Sequence, residues 1–426
     1  MTSTLCLEYK EKLNRLLEND LSFKDGKRNL IHSLHAFAAK FPPQLPRYFI
    51  QGLTVPGETV LDPMVGSGVT IVEAWLQCRN ALGVDLDPLA RLISRVRTRD
   101  YIPQTVDDEG HLTINNARKL IQLTYFPQAL LEQYDNATKK FIDYWFTPSI
   151  QIELAALVLA IREQTDENLR ELFLLILSSI IITKSGGVSM ARDLAHTRPH
   201  KVDDKIPKSA ITLFSSQLNK ATKAIKEIEL LQKGCAEVIS GDCRSLPLPS
   251  ESIDLIVTSP PYANAIDYMR ANKFSLVWLG EDIRSLSILR SKYIGSEKWG
   301  NGCQSELPAD CEKILNELTQ KDNAKAKVLK KYYCDMKLAF EEMYRVLRSE
   351  RAAIIVVGPS TMRGLKIETH NHLASIASGV GFDLINVVRR DLDRNRRMMP
   401  VGRSKNSNSI IEQRIHEEFV IGLVKD

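Results

Sequence analysis

The sequence contains few of the patterns typical of membrane, extracellular or metal-binding proteins. Its seven cysteines include no CxxC pair, which favours free thiols in a reducing cytoplasm. The longest apolar stretch, around residues 172–182, is interrupted by two serines and is too short to cross a bilayer. The N-terminal segment has the periodicity of an amphipathic helix and lacks the apolar core of a signal peptide. We therefore expect a cytoplasmic protein with no membrane partner.

Metal ligands are also sparse. His370 and His372 are separated by one residue, but no cysteine or second histidine pair lies near them in the sequence. A solvated helix start is therefore favoured over a zinc site, and we predict no bound metal. The 44% of hydrophobic and 26% of charged residues are those of an ordinary globular protein. A chain of 426 residues can form one large α/β domain or two smaller ones.

Residues 59–70, TVLDPMVGSGVT, read as a short strand, an acidic residue at its end, a Gly-x-Gly turn and a helix start. Gly66 and Gly68 let the backbone approach a ligand where a Cβ would clash, and the helix start offers free N–H groups. The pattern is neither a phosphate loop, GxxxxGK[ST], nor the full dinucleotide fingerprint, because the third glycine is missing. Asp85 ends a second short strand, where α/β nucleotide folds place a carboxylate for ribose hydroxyls.

The tetrapeptide Ser259-Pro260-Pro261-Tyr262 follows an apolar run, residues 253–257, that predicts a buried strand. The first proline fixes its own φ and keeps the preceding backbone extended. The Ser259 hydroxyl oxygen and the Pro260 carbonyl can then accept the two hydrogens of an exocyclic amine, while Tyr262 stacks on the ring that carries it. A proline turn with a core tyrosine is the alternative interpretation of this short motif.

The motifs DPMVGSGVT, GVDLDP and TSPPY together resemble the S-adenosylmethionine-dependent DNA amino-methyltransferases, which methylate cytosine N4 or adenine N6. Residues 35–51 are similar to the segment that covers the methionine end of the cofactor. Residues 241–244, GDCR, are similar to the turn that contacts its adenine ring. The resemblance extends over roughly residues 33–98 and from 238 to the end, and it does not include the middle of the chain.

The resemblance implies an α/β, Rossmann-like class I methyltransferase fold: a doubly wound, mostly parallel sheet with a C-terminal antiparallel hairpin strand, plus a helical insertion. Residues 1–99 would form an N-terminal helix and the cofactor-binding half, and residues 235–426 the catalytic half. Between them, residues 100–234 would form a mainly helical insertion and a possible target-recognition region. A second, loop-rich insertion is expected at about 281–325. Either insertion could recognise the DNA sequence in the major groove.

Hydrophobic periodicity places the individual elements within this frame. It predicts helices over residues 147–161 and 167–183. Strands are expected near residues 58–62, 80–85, 236–240, 253–258, 352–358, 383–389 and 418–424.

The resemblance also implies roles for individual residues. The target base would be bound by the SPPY turn, with Ser259, Pro260, Pro261 and Tyr262 as catalytic residues. In the cofactor site, Asp85 would hold the ribose and Asp242 the adenine amine. The full cofactor-binding set is Lys40, Phe41, Pro42, Asp62, Pro63, Gly66, Ser67, Gly68, Asp85, Leu86, Asp242 and Cys243.

The reaction implied is direct methyl transfer from S-adenosylmethionine to a base flipped out of double-stranded DNA. Within the family, serine before PPY goes mostly with cytosine N4 and aspartate with adenine N6, so cytosine is favoured. No cysteine has a Pro-Cys context, which argues against the covalent route to C5-methylcytosine. An RNA amino-methyltransferase and a catalytically inactive DNA-binding subunit are the rival hypotheses. A restriction-modification system is implied, with a cognate endonuclease that is not a stable subunit.

A basic run spans residues 389–405. It carries seven basic residues against two aspartates, so its net charge is 7 − 2 = +5, as large as the excess of the whole chain. A solvated face is the ordinary explanation of such a run, but beside a base-sized pocket we favour phosphate contacts. A second cluster, Arg91, Arg95, Arg97 and Arg99, supports the same hypothesis. The predicted DNA-binding residues are Arg389, Arg390, Arg394, Arg396, Arg397, Arg403 and Lys405.

Overall fold

The structure is a computed structural model. It describes residues 2–23, 29–37, 42–123, 125–183, 186–192, 194, 199–263, 267–295, 306–391 and 417–426. The strands are β1 (Thr59–Asp62), β2 (Asn80–Asp85), β3 (Ala236–Ser240), β4 (Ile253–Thr258), β5 (Leu347–Val357), β6 (Ser360–Met362), β7 (Leu365–Ile367), β8 (Asp383–Asp391) and β9 (Glu417–Lys425).

The helices pack around these strands, and a short 3-10 turn at Leu30–Ser33 precedes the second helix. They are α1 (Thr2–Glu18), α2 (Gln44–Leu53), α3 (Val69–Trp75), α4 (Pro88–Arg97), α5 (Pro103–Gln122), α6 (Tyr125–Glu132), α7 (Asn136–Trp145), α8 (Pro148–Arg162), α9 (Glu167–Ile181), α10 (Ala210–Ile228), α11 (Tyr268–Leu276), α12 (Ile283–Lys292), α13 (Ala309–Lys321), α14 (Asn323–Val346) and α15 (Thr369–Val380).

Seven strands form one sheet in the order β3-β2-β1-β4-β5-β9-β8. The pairs from β3 to β5 are parallel, whereas β9 runs antiparallel to both β5 and β8. All of β4 and the last six residues of β5 are buried, as expected for parallel strands covered on both faces. This is the Rossmann-like methyltransferase arrangement, so the predicted fold class is confirmed. The predicted strands are present, although β5 begins at Leu347 instead of near residue 352.

The insertion between β2 and β3 is helical, and it does not stand apart from the sheet. Helices α8 and α9 lie where periodicity predicts them and bury most of their side chains. Their core continues into α4 of the cofactor half and into α11, which follows the SPPY turn. Phe274 of α11, for example, packs edge-on against Trp145 of α7 with ring centroids 4.8 Å apart. The insertion therefore supports both halves of the cleft.

The second insertion differs from its prediction. Residues 281–325 were expected to be loop-rich, but their described part contains α12, α13 and the first residues of α14. Helix α13 buries Cys311, Leu315 and Leu318 at the helical spacing of three to four residues. Residues 296–305, between α12 and α13, lie outside the described part.

Two expectations about cysteines and membranes can be compared with the structure. Cys78, Cys235, Cys243 and Cys311 are free, but Cys334 is disulfide-bonded, so the prediction of free thiols is wrong for that residue. Among the described residues, no single helix has the length and apolarity needed to cross a membrane. One bent pair, α7 with α8, meets those measures of length and composition when its two helices are taken together.

Candidate active site at the carboxyl ends of the parallel strands

The Gly-x-Gly turn and the SPPY turn lie side by side. They follow β1 and β4, which are neighbouring parallel strands, so both turns leave the same edge of the sheet. The Thr258 hydroxyl donates to Asp62 Oδ1 at 2.6 Å, and the Thr70 hydroxyl donates to the Val257 carbonyl at 3.0 Å. The connections from β1 and β4 proceed toward opposite ends of the sheet, which is where open α/β folds form their ligand crevice.

Both glycines of the first turn have a positive φ, +48° at Gly66 and +74° at Gly68. A Cβ on Gly68 would lie 2.7 Å from the Ser94 hydroxyl oxygen, and one on Gly66 would lie 3.3 Å from the ring of Phe37. The sequence interpretation, that these glycines leave room for a ligand, stays a prediction, and the structure adds a second reason for glycine at both positions. They permit left-handed backbone and the close approach of α4 and Phe37.

Asp85 lies at the end of β2, beside this turn. Its Oδ2 accepts the Gly66 N–H at 2.9 Å, and its Oδ1 accepts the Asp87 N–H at 2.8 Å. Burial, with the nearby Asp87 carboxylate, raises the pKa of Asp85 to about 7. A carboxylate offers about four acceptor positions, so two remain for hydroxyl donors of a ligand. The predicted role of Asp85 as a ribose ligand stays a prediction that these free acceptor positions allow.

Other members of the predicted cofactor set are engaged with the protein. Asp62 is 2% exposed, and its carboxylate joins the two turns. Burial raises the pKa of Asp62 to about 6, although the Thr258 hydrogen bond opposes this rise. Pro63 is buried, while Leu86 is half-buried. Pro42 lies at the start of α2, where its carbonyl accepts the Leu45 N–H at 3.0 Å. Lys40 and Phe41 lie outside the described residues.

Ser67 contributes its backbone to a contact that the sequence did not reveal. Arg97, fully buried in α4, donates to the Ser67 carbonyl at 2.6 Å and to the carbonyls of His32 and His35 at 3.1 and 3.0 Å. Burial lowers the pKa of Arg97 to about 9. This guanidinium therefore ties the Gly-x-Gly turn to the N-terminal segment that precedes it. No local pattern identifies it, because its acceptors lie 30 to 65 residues away in the sequence.

Asp242 follows β3, at the same edge of the sheet. Arg244 donates to its Oδ1 at 2.9 Å and to its Oδ2 at 2.7 Å, and also to Asp335 at 2.7 Å. Burial alone would raise the pKa of Asp242, but the hydrogen bonds from Arg244 lower it below its usual value. Asp242 is thus an ionised acceptor, and Cys243 beside it is buried. The Gly241 N–H donates to the Asp85 carbonyl at 3.3 Å, which brings the two aspartates' turns together.

Residues in and next to the C-terminal strands fix the position of the SPPY turn. Ser259 is half-buried, Pro260 is buried, and Pro261 and Tyr262 are half-buried. The Tyr262 hydroxyl donates to Glu418 Oε1 at 2.8 Å. Burial and then the Glu418 carboxylate raise the pKa of Tyr262 well above its usual value, so the phenol stays protonated. The ring packs on Gly358 after β5, where a Cβ would come within 2.7 Å of it.

Helix α11 connects the SPPY turn to the cofactor side. Tyr268, its first residue, stacks on Phe37 with ring centroids 5.4 Å apart and an interplanar angle of 20°. One turn later, the Asn272 amide donates to Asp87 Oδ2 at 2.6 Å in a buried hydrogen bond. Tyr268 and Phe37 were absent from the predicted site. The available signal was position, since α11 begins directly after the target-base motif.

The predicted DNA-binding set is only partly described. Arg389 is exposed and pairs with Asp391 and Glu417 at 2.9 and 3.1 Å. Arg390 is 4% exposed and pairs with Glu418 at 3.0 Å, so its charge is directed into the fold and away from solvent. The remaining members lie outside the described residues: Arg394, Arg396, Arg397, Arg403 and Lys405.

The second arginine cluster makes contacts within the fold. Arg95 and Arg99 both pair with Glu171 of α9 at 2.6 Å. Arg91 donates to the carbonyls of Asp85 and Leu86. Arg97 is fully buried, which excludes it from phosphate contacts, whereas for Arg91, Arg95 and Arg99 such contacts stay a prediction.

The two histidines of α15 are not solvated, contrary to expectation. His370 and His372 are 6% and 8% exposed. His370 stacks on Phe419, and His372 Nδ1 is hydrogen-bonded to the Tyr333 hydroxyl at 2.7 Å. Within the described ranges, no group of three His, Cys, Asp or Glu side chains is arranged to hold a metal ion.

The fold and the crevice at its switch point are Rossmann-like, and comparisons with known proteins show which proteins the chain resembles. Residues 8–94 match the DNA methylase family model of N6 and N4 methyltransferases. The Type II methyltransferase M.MvaI of Kocuria varians is 22% identical over 372 residues, which cover 80% of each chain. The Type II methyltransferase M.MjaII of Methanocaldococcus jannaschii is 24% identical over 354 residues, covering 63% of this chain and 66% of that protein.

One solved structure, a TehB-like SAM-dependent methyltransferase from Corynebacterium glutamicum, aligns over 89% of this chain and 87% of its own. The TM-score of this alignment is 0.30, and the two sequences are 11% identical. The sequence matches support a DNA amino-methyltransferase with S-adenosylmethionine as the methyl donor. The resemblance to DNA amino-methyltransferases that the motifs indicate is confirmed, without distinction between cytosine N4 and adenine N6.

Proposed function

We propose that this chain is a site-specific DNA methyltransferase that methylates the N4 amine of a cytosine flipped out of the duplex. One observation carries the proposal: the 2.6 Å hydrogen bond from Thr258 to Asp62 joins the SPPY turn to the Gly-x-Gly turn. An amine bound at the SPPY turn is therefore adjacent to a cofactor bound at the Gly-x-Gly turn.

The cofactor site in this proposal spans the ends of β1, β2 and β3. Asp85 accepts the ribose hydroxyls with the lone pairs that its two backbone donors leave free. Asp242, kept ionised by Arg244, accepts from the adenine amine. The segment around Lys40, Phe41 and Pro42 would cover the carboxylate and adenine side of the cofactor, and Lys40 and Phe41 lie outside the described residues. When bound, S-adenosylmethionine supplies an electrophilic methyl group on its sulfonium.

The SPPY turn orients the base. The Ser259 hydroxyl and the Pro260 carbonyl accept the two amine hydrogens, which directs the nitrogen lone pair at the methyl group. Because that lone pair is delocalised into the ring, the amine is a poor nucleophile, and orientation has to supply much of the acceleration. Well-oriented intramolecular reactions gain about 7–11 kcal/mol in this way.

Tyr262 compensates part of the cost of base flipping. Unstacking and unpairing a base costs a few kcal/mol. Stacking on an aromatic side chain returns roughly 1–3 kcal/mol per base. Since the phenol is hydrogen-bonded to Glu418 and the ring packs on Gly358, the ring is fixed before the base arrives. A fixed ring loses little conformational entropy when the base stacks on it.

Cytosine is proposed over adenine because serine precedes PPY, which is a family-level association and not a physical proof. Adenine N6 is the second candidate, since the same two acceptors suit any exocyclic amine. A cognate restriction endonuclease stays a prediction.

Modification-sensitive sequencing of DNA from cells that express the chain tests base and target sequence together. We expect N4-methylcytosine at one short recognition sequence with the wild type and with the control Ser216→Ala, an exposed serine of α10. Ser259→Ala should leave that sequence unmodified. N6-methyladenine at a single sequence would instead establish the second candidate. If DNA carried neither mark while purified protein gave no saturable heat with S-adenosylmethionine, the inactive-subunit hypothesis would replace the proposal.

A further inference from the structure

A small basic cluster lies where the chain leaves the target-base turn. It consists of Asp267, Arg270 and Lys273 at the start of α11 and Arg290 near the end of α12, and we call it the Asp267 cluster. Asp267, Arg270 and Lys273 are spaced by three residues, so they lie along one face of α11. The cluster was not part of the predicted DNA-binding set.

The Asp267 carboxylate of this cluster is less exposed to solvent than the two arginine side chains that it pairs with. Asp267 Oδ2 is 2.9 Å from Arg270 Nε, and it also contacts Arg290 Nη2. The Asp267 side chain is 17% exposed, whereas those of Arg270 and Arg290 are 32% and 38% exposed. One half-buried carboxylate therefore holds two guanidinium groups side by side, with donors left on their solvent side. A guanidinium has five N–H donors, so one ion pair does not use them all.

Lys273 adds a third cation. Its Nζ lies 5.2 Å from the centre of the Phe141 ring. Burial lowers the pKa of Lys273, and the positive charges of Arg290 and Arg270 contribute to that shift. With three cations and one carboxylate, the cluster carries 3 − 1 = +2. Such crowding of like charge is unfavourable unless an anion shares the site.

We propose that the Asp267 cluster binds a backbone phosphate of the DNA strand that carries the flipped base. Tyr268, the residue after Asp267, stacks on Phe37 above the Gly-x-Gly turn, so the cluster lies at the mouth of the proposed cleft. A strand that delivers its base to Ser259 has to pass this mouth. Arginine donors arranged in parallel match phosphate oxygens, and such contacts fix the position of the strand without reading its sequence.

The carboxylate of the cofactor is another anion that could meet these cations. The phosphate is favoured because Tyr268 and Phe37 lie between the α11 face and Gly66, while the guanidinium groups are open to solvent. This inference rests on the proposed function, because it assumes that DNA is the substrate.

The test compares Arg270→Gln, Arg290→Gln and Lys273→Gln with wild type in DNA binding measured at several salt concentrations. Each lost phosphate contact should lower the slope of log K against log salt by about 0.9, with weaker binding on all sequences. The control is Arg284→Gln, whose side chain on α12 is 80% exposed and 3.8 Å from Asp135. It should keep the wild-type slope. Lys273→Gln breaks no ion pair, so it remains informative if an arginine variant unfolds.

Calorimetry with S-adenosylmethionine separates the two anions, and we expect unchanged affinity in all three variants. Weaker cofactor binding with an unchanged salt slope would assign the cluster to the cofactor carboxylate and overturn the inference. If wild type methylates DNA but the variants keep its salt slope, the inference alone fails. If the slopes fall as expected but no DNA is methylated, the phosphate contact stands, whereas the proposed function fails and with it the assignment to the strand of the flipped base.

Discussion

The two sides of the candidate cleft are held in place by different kinds of contact. On the cofactor side, Asp85 accepts backbone N–H groups and Arg97 donates to backbone carbonyls, all within residues 32–97. On the target-base side, Tyr262 depends on Glu418, a side chain 156 residues later that is itself paired with Arg390. These cofactor-side contacts lie within one stretch of chain and use its own backbone. The target-base contact depends on side chains of the C-terminal hairpin, so substitutions at these particular residues should affect the two sides differently.

The largest expected difference between the two sides is in catalysis. Ser259→Ala removes an acceptor for the amine, and we expect turnover to fall by about 100-fold or more, as for other single hydrogen-bond partners of a transition state. The affinity for S-adenosylmethionine should not change, because Ser259 belongs to the target side alone. Single-turnover methylation and calorimetry on the same preparation measure both quantities. A variant with wild-type turnover would contradict the role of Ser259.

The next test addresses stability on the cofactor side. Arg97→Met leaves three buried carbonyls without their donor, and each unsatisfied group costs about 1–3 kcal/mol. Allowing for relaxation, we expect the free energy of unfolding to fall by about 3 kcal/mol. Urea unfolding measures this, with the exposed Arg118→Ala as control. A loss no larger than that of the control would mean that Arg97 does not organise this side.

A third test uses the pKa of Asp85, raised from 3.8 to about 7. Because the folded pKa lies above the unfolded one, the stability from this carboxyl group is present at low pH and is lost as pH rises through about 7. Cofactor affinity should run the other way, since ribose hydroxyls donate best to the ionised form.

We therefore expect affinity to fall by up to about tenfold for each pH unit below the pKa of Asp85, with a proton released on binding. Calorimetry in two buffers of different ionisation heat measures both effects. Asp85→Asn should bind more weakly and with a flat pH profile. A sloping profile in this variant would assign the titration to another group.

The smallest effect is expected at Glu418, which positions Tyr262 without touching the base. Glu418→Gln keeps an acceptor for the phenol but leaves Arg390 without its counter-charge. We expect kcat to fall by about tenfold, on the order of 1.4 kcal/mol, while KM for DNA and cofactor affinity stay unchanged. The unpaired Arg390 should also lower the free energy of unfolding of the single variant. The double variant Glu418→Gln with Arg390→Met removes the unpaired cation and should recover most of that loss. A change in cofactor affinity would show that the two sides are not separate.

Local sequence was sufficient for the strands and for the two turns that meet at the switch point. The parallel strands β1, β2, β3 and β5 end at or directly before Asp or Gly, and parallel strands necessarily bring those ends to one edge. The short strands β6 and β7 were not predicted. Burial and partners of charged residues were not predictable. Arg390 and Arg97 belong to basic runs in the sequence, yet Glu418 and three backbone carbonyls, all distant in the chain, direct them inward. Likewise, α12 and α13 were missed, although α13 buries Cys311, Leu315 and Leu318 at helical spacing.

Helix α11 begins six residues after Tyr262 and is hydrogen-bonded to Asp87 on the cofactor side through Asn272. A shift of this helix therefore moves both binding surfaces at once. If a bound cofactor favours one position of α11, that position changes the affinity for the incoming nucleotide. By thermodynamic linkage, a bound nucleotide then changes the affinity for the cofactor. Occupancy of either site would tune the other by the same factor, without a separate regulatory domain.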